Sequence, residues 1–186
     1  MCRVVRARVP ERRYRHVLGV ARTAEKLARR YGASTAKARI AGVLHDYARH
    51  WEPVTLLAYA REHQLPVTEY ERSAPVLLHA KIGADIARRE FGVGDTDTLA
   101  AIETHTVPAP GMSDLQKILF LADTFEPSRR FESRAALEAI ALRSLDEGML
   151  ACLKASIEYL LARDVPIAPS TVEVYNTLVQ LNGKTS

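Results

Sequence analysis

Residues 41–46 read Ala41-Gly42-Val43-Leu44-His45-Asp46: an apolar run that ends in a histidine and an aspartate side by side. Ser34 sits at the N-cap of the helix this run implies, extending to about Tyr47. Its apolar positions, Ala38, Ile40, Ala41, Val43 and Leu44, spread round most of the cylinder, so the helix is expected to be central and buried. Adjacent helical side chains point about 100° apart. His45 and Asp46 therefore share one function only if something sits between them, and a metal ion fills such a gap. The doublet alone reads equally well as a helix C-terminus carrying a histidine on its dipole.

Outward from this helix, nearly every segment has helical periodicity, and runs of strand-type alternation are absent. The sequence predicts about eight to nine helices in one all-α domain spanning residues 1–186. Residues 1–10 are expected as a loose N-terminal extension and 183–186 as a loose tail. Glu11 to Tyr31 carries an apolar stripe through Tyr14, Val17, Leu18, Ala21, Ala24 and Leu27, and Gly32 stops it. Pro53 starts a helix to about His63. Pro75 to Phe91 is the next, and Asp95 or Thr96 opens one to about Thr104. Ser113 and Gln116 form a capping box for a helix that reaches Asp123. Helices from Ser133 to about Arg143, Ser144 to Ala162 and Ser170 to Leu181 follow, the last two with Glu147 and Glu173 completing boxes.

The bulk composition fits this picture. The chain has 186 residues, is 47% hydrophobic and 26% charged, and carries a net charge of +4. That is an ordinary globular balance with length enough for a sizeable core. No stretch approaches the roughly 18 apolar residues of a membrane helix. The N-terminus lacks the apolar region of a signal peptide. Cys2 and Cys152 have no metal-ligand spacing, so a reducing cytoplasm is the expected compartment. Twenty of the 26 basic residues are arginine, whose planar fork suits phosphate oxygens. No basic run is interleaved with aromatics as a nucleic-acid groove requires. Neither nucleic acid nor membrane is expected as a partner.

Metal-capable side chains recur at His16, His45, Asp46, His79, His105 and Asp123, each inside or at the end of a different predicted helix apart from the adjacent pair. Facing helices build metal sites in this way. The gaps are long, 29 residues from His16 to His45 and 77 from Asp46 to Asp123, which excludes the tight ligand pairs of a zinc finger. Imidazoles with carboxylates and no thiolate suit iron, manganese, cobalt or zinc. Taken singly, each has an ordinary structural explanation. His50 and His63 are assigned to surface or core.

The order His16, His45-Asp46, His79, His105, Asp123 resembles the HD superfamily of metal-dependent phosphohydrolases. Several stretches resemble its YqeK-type symmetrical bis(5'-nucleosyl)-tetraphosphatases more closely: Arg13-Tyr14-Arg15-His16, Gly42-Val43-Leu44-His45-Asp46-Tyr47-Ala48, and Leu78-His79-Ala80-Lys81-Ile82-Gly83-Ala84. So do His105-Thr106, Pro110-Gly111-Met112-Ser113, Lys117 to Asp123, Glu126-Pro127-Ser128-Arg129 and Tyr175-Asn176. The resemblance implies a helical HD fold and a hydrolase that cleaves diadenosine tetraphosphate into two ADP with a divalent transition metal, iron first. It implies His16, His45, Asp46 and Asp123 as metal ligands, with His79 and His105 beside the phosphates or completing a second metal position. Asp46 is the candidate base, and His79 and His105, if protonated, would steady charge on the phosphate under attack. Thr106, Lys117 and Arg129 are candidate substrate contacts. A homodimer is an assembly the sequence allows. Val107-Pro108-Ala109 departs from the usual Ser/Thr, Gly and Arg/Lys, and Thr124 replaces the usual aromatic. The competing readings are hydrolysis of dNTPs, nucleoside monophosphates or cyclic nucleotides, a weakly catalytic nucleotide-binding regulator, and a basic nucleic-acid-binding domain.

Overall fold

The computed structural model describes residues 1–182, and among them every regular element is helical. In chain order they are α1 (Cys2–Arg8), α2 (Glu11–Arg30), α3 (Thr35–Leu44), α4 (Pro53–Glu62), α5 (Glu69–Ser73), α6 (Leu78–Arg89), α7 (Thr96–Thr104), α8 (Asp114–Phe125), α9 (Arg134–Ala141), α10 (Leu145–Leu161) and α11 (Pro169–Asn182). None of the described helices is long and apolar enough to cross a membrane.

Helix α3 is the hub, with α1, α2, α6, α7 and α8 packed on it. Ala38, Ala41 and Leu44 are fully buried and Val43 nearly so, as the all-round apolar pattern requires. Helix α2 lies along α3 so closely that a Cβ on Gly42 would stand 2.6 Å from the Ala21 Cα. Small residues on both sides make that approach possible. Helices α9 and α10 pack on α8 and on each other, and α11 packs on α10.

Two more α-helices appear than the upper expectation. Residues 2–8, expected as loose, form α1, and Val5 and Val9 four residues apart are buried in the core. Helix α5 is held by a capping box in which the Thr68 and Glu71 side chains satisfy each other's backbone N–H groups. Other differences lie at the ends. Helix α3 stops at Leu44 and not near Tyr47, because Tyr47, Arg49 and Trp51 donate to carbonyls three residues back in tightened turns. The Ser113–Gln116 box forms as expected. Ser133 makes no side-chain cap, and at Ser144 only the serine half of the expected box is present. Helix α11 starts at Pro169, one residue early. The expected tail, 183–186, lies outside the described residues.

Candidate metal centre

Five helices and the turn after α3 bring the six metal-capable residues to one place. His45 leaves α3 in its C-cap and Asp46 follows in the tightened turn. A 3-10 turn at Pro75–Leu77 leads into α6, whose second residue is His79. His105 is the C-cap of α7, Asp123 lies in the last turn of α8, and His16 lies in α2. His16, His45, Asp46, His79 and His105 are all buried.

The imidazoles are armed alike. His45, His79 and His105 each place Nδ1 on a carbonyl three residues back: Gly42 at 2.8 Å, Val76 at 2.5 Å and Ile102 at 2.7 Å. A carbonyl only accepts, so Nδ1 carries the proton and Nε2 presents a lone pair. His16 is fixed differently, with Nδ1 3.0 Å from the Glu126 carboxylate. Glu126 is itself almost fully buried and accepts hydrogen bonds from the Ser128 N–H and hydroxyl. A carboxylate behind a histidine orients the ring and raises its basicity as a ligand.

All four Nε2 atoms point inward. His16 Nε2 is 2.9 Å from Asp123 Oδ1 and 3.5 Å from Asp46 Oδ2. His45 Nε2 is 3.6 Å from Asp46 Oδ2 and 3.7 Å from Asp123 Oδ1. On the other side, Asp46 Oδ1 is 3.3 Å from His79 Nε2 and 3.7 Å from His105 Nε2. Two overlapping donor sets result, His16–His45–Asp123 and His45–Asp46–His105. Asp46 turns one oxygen to each side, as a bridging carboxylate does.

This cluster fits a cation and is poorly satisfied without one. The Nε2 atoms of His16 and His45 are buried and make no hydrogen bond among the described residues. The short His16–Asp123 approach is acceptor facing acceptor when the proton sits on Nδ1. His79 and His105 face each other across 3.2 Å, and the single hydroxyl proton of Thr106, 3.0 Å from His105 and 3.3 Å from His79, serves only one of them. Unpaired buried acceptors are costly. A divalent ion satisfies several at once.

Protonation follows the same logic. Burial works against ionised Asp46, but His45, His105 and His79 outweigh it and hold its carboxyl well below the usual range. His16 and His45 do the same for Asp123 against burial. Burial pushes the His79 imidazolium pKa down, and His105 adds to this against the pull of Asp46. With Nδ1–H on the Val76 carbonyl, the neutral form that burial favours leaves His79 Nε2 as a lone-pair donor.

Two arginines join the centre to the outside. Arg13 bonds Asp46 Oδ2 at 2.5 Å, and Arg129 bonds Asp123 Oδ1 at 2.7 Å and its carbonyl at 3.0 Å. Both line a cleft of about 1000 Å³ that has His16 in its wall. Arg129 lines the cleft, and Thr106 lies beside His79 and His105 at the centre. Lys117 does not line this cleft. It pairs with Asp146 at 2.7 Å in a separate apolar recess shared with Ala109, Pro110 and Gly111. His50 lines the cleft, whereas His63 stacks on Tyr59 outside it. Sequence reasoning missed Glu126 and Arg13 as members of the site. Arg13 was readable, three residues before His16 and so on the same helical face. Nothing in the spacing ties Glu126 to His16.

Comparison with known proteins agrees with this geometry. Symmetrical bis(5'-nucleosyl)-tetraphosphatase from Bacillus subtilis is 35% identical, with 94% of each chain covered. The protein of that name from Halalkalibacterium halodurans is 38% identical over 95% of this chain and 94% of its own. A crystal structure of a predicted HD superfamily hydrolase involved in NAD metabolism, from Clostridium acetobutylicum, superposes with a TM-score of 0.92 at 32% identity, covering 96% of this chain and 95% of that one. The HD domain model matches residues 13–128, a span that holds all six donors together with Arg13 and Glu126. With that match and relatives of this identity along nearly its whole length, the chain belongs to the HD domain family.

Proposed function

We propose that the chain is a metal-dependent hydrolase that cleaves diadenosine tetraphosphate symmetrically, water adding across the bond between the two central phosphates to give two ADP. The relatives named for this activity align along nearly the whole chain. The observation that carries the reading is the convergence of four inward Nε2 atoms and two ionised carboxylates beside an arginine-lined cleft.

His16, His45, Asp46 and Asp123 would hold the ion, and His79 and His105 would lie beside the phosphates or complete a second metal position. The ion supplies Lewis acidity toward a phosphoryl oxygen and toward water. Nitrogen and oxygen donors without thiolate suit iron, manganese, cobalt or zinc, and the family resemblance puts iron first among them. Asp46, with an oxygen toward each group of imidazoles, is the residue placed to orient the attacking water and accept its proton. The water oxygen bonds to one central phosphorus, and the bridging oxygen leaves on the other as ADP. Thr106 offers its hydroxyl proton to either His79 or His105. Arg13 and Arg129 offer forked donors to phosphate oxygens at the cleft wall. Cys2 and Cys152 are free thiols, which suits work in a reducing cytoplasm.

Incubating metal-loaded protein with diadenosine tetraphosphate and separating the products tests this. ADP alone is expected. ATP plus AMP would refute symmetric cleavage, and no product with any of the four metals would refute the hydrolase. Metal analysis of anaerobically purified protein identifies the ion and counts one or two per chain.

A further inference from the structure

The cleft beside the metal centre holds more positive charge than the centre itself uses. Five arginines line it, Arg12, Arg13, Arg15, Arg129 and Arg130, against one acidic residue, Glu11. Three have partners: Arg13 on Asp46, Arg129 on Asp123, and Arg15 on Glu11 one turn away at 3.1 Å. Arg12 and Arg130 are exposed and have no ion pair or side-chain hydrogen bond among the described residues. They come from different parts of the fold, Arg12 from the first turn of α2 and Arg130 from the α8–α9 connection. Beside Arg130, Phe131, a residue 42% exposed, lines the same cleft.

Symmetric cleavage leaves two phosphates and one nucleoside on each side of the broken bond. One half must therefore extend beyond the reacting centre. The cleft volume of about 1000 Å³ is at the upper end of the roughly 300–1,000 Å³ of small-molecule sites, so it has room for a nucleoside diphosphate. We infer that Arg12, Arg130 and Phe131 form a subsite for the outward nucleotide half, the two guanidiniums taking its phosphates and the phenyl face stacking its base. This rests on the tetraphosphate reading above. Two unpaired guanidiniums, brought to one cleft from separate parts of the fold, match the oxygens of a diphosphate. An exposed aromatic next to them matches a base, since every base has a π-face.

The test uses metal-loaded full-length protein and two probes, diadenosine tetraphosphate as substrate and tripolyphosphate, which has no base, as inhibitor. The double variant Arg12→Ala/Arg130→Ala is expected to lose about tenfold in kcat/KM, mainly through KM, from two exposed charge contacts worth a few-fold each. Its inhibition by tripolyphosphate should weaken in step. Phe131→Ala should lower kcat/KM for the dinucleotide by about fivefold or more and leave tripolyphosphate inhibition as in wild type. Arg61→Ala/Arg88→Ala removes the same charge from outside the cleft and should match wild type. The subsite is overturned if the cleft double variant stays within twofold, if the control falls equally, or if Phe131→Ala changes nothing, which would leave a bare polyphosphate rim. Should wild type release no ADP, the tetraphosphate reading fails by itself. Calorimetric binding of the two probes to the same variants then decides the subsite by the same pattern.

Discussion

Replacing Gly19 by alanine should improve helix α2 and weaken the metal site one turn away on the same helix, through the Glu126 side chain. Gly19 lies one turn after His16 on α2. A Cβ there would stand 2.4 Å from Glu126 Oε2 and 3.1 Å from its Cδ. These atoms end a flexible side chain, so α2 stays in place and the carboxylate moves. Glu126 is 1% exposed, and its other oxygen holds His16 Nδ1 at 3.0 Å. Alanine for glycine within a helix adds about 1 kcal/mol of stability. A buried carboxylate pulled off its partners costs about 1–3 kcal/mol, so net stability falls by no more than about 2 kcal/mol. Metal affinity carries the larger signal. Loss of the carboxylate behind a histidine ligand costs about 10–100-fold, equivalent to about 1.4–2.7 kcal/mol. The assay is competition for the ion against a chelator of known affinity, alongside kcat/KM at limiting metal. Glu126→Gln should shift both in the same direction, because its amide sets a donor against either His16 or the Ser128 N–H. The double variant should lose no more than the worse single one, as both act through one contact. Wild-type metal affinity in Gly19→Ala and Glu126→Gln together would refute the orienting role of Glu126.

Gly42→Ala should act through packing. Its Cβ would meet the Ala21 Cα at 2.6 Å and backbone nitrogen at 2.9 Å, so α2 and α3 must part, at a cost of about 1–3 kcal/mol. Thermal unfolding should then fall by about 2–12 °C, and an unchanged midpoint would show that the helices are not in firm contact. Asp46→Asn keeps the shape and removes the charge shared by both donor sets. It should cut kcat by about 10²–10⁴, checked at saturating metal, and full retained turnover would remove Asp46 from the reaction. The pH dependence of metal affinity follows from His16. Burial opposes its protonation, yet Asp123 and Glu126 outweigh burial and raise its pKa above 6.5 in the metal-free protein. That proton and the ion compete for one lone pair. Affinity should be full where His16 is neutral and fall as pH drops through the raised pKa, by about tenfold per unit below it. Chelator competition between about pH 6 and 8 measures it, and a flat profile would contradict the competition. The sign for metal-free stability is opposite: the His16 contribution is present below pH 6.5 and lost as pH rises through the raised value.

What the sequence conveyed about this site divides along the range of the interactions. The central helix, the Ser113–Gln116 box and the inward face of His45 depend on residues within one or two turns, and those patterns were readable. Thr68 and Glu71 carry the same local signal, so α5 was legible too, but Gln64 to Val67 read as a break that continued to Pro75. Lys117 shows how nearness along the chain misleads. It lies six residues before Asp123, which at 100° per residue turns it some 240° round α8, toward Asp146 and away from the metal centre. The family resemblance placed it by motif, and helix geometry places it elsewhere. Arg13 and Glu126 mark the boundary on either side of His16. Arg13 is one turn away on the same helix, so its reach to the doublet follows from position. Glu126 arrives from 110 residues downstream, because α8 packs against α2 and ends beside His16. No pattern in either segment encodes that meeting, since a Glu-Pro-Ser-Arg turn on a different helix pair would look the same. The donors that bind the ion are recognisable by residue type, whereas the group that aims them is recognisable only once the helices are packed.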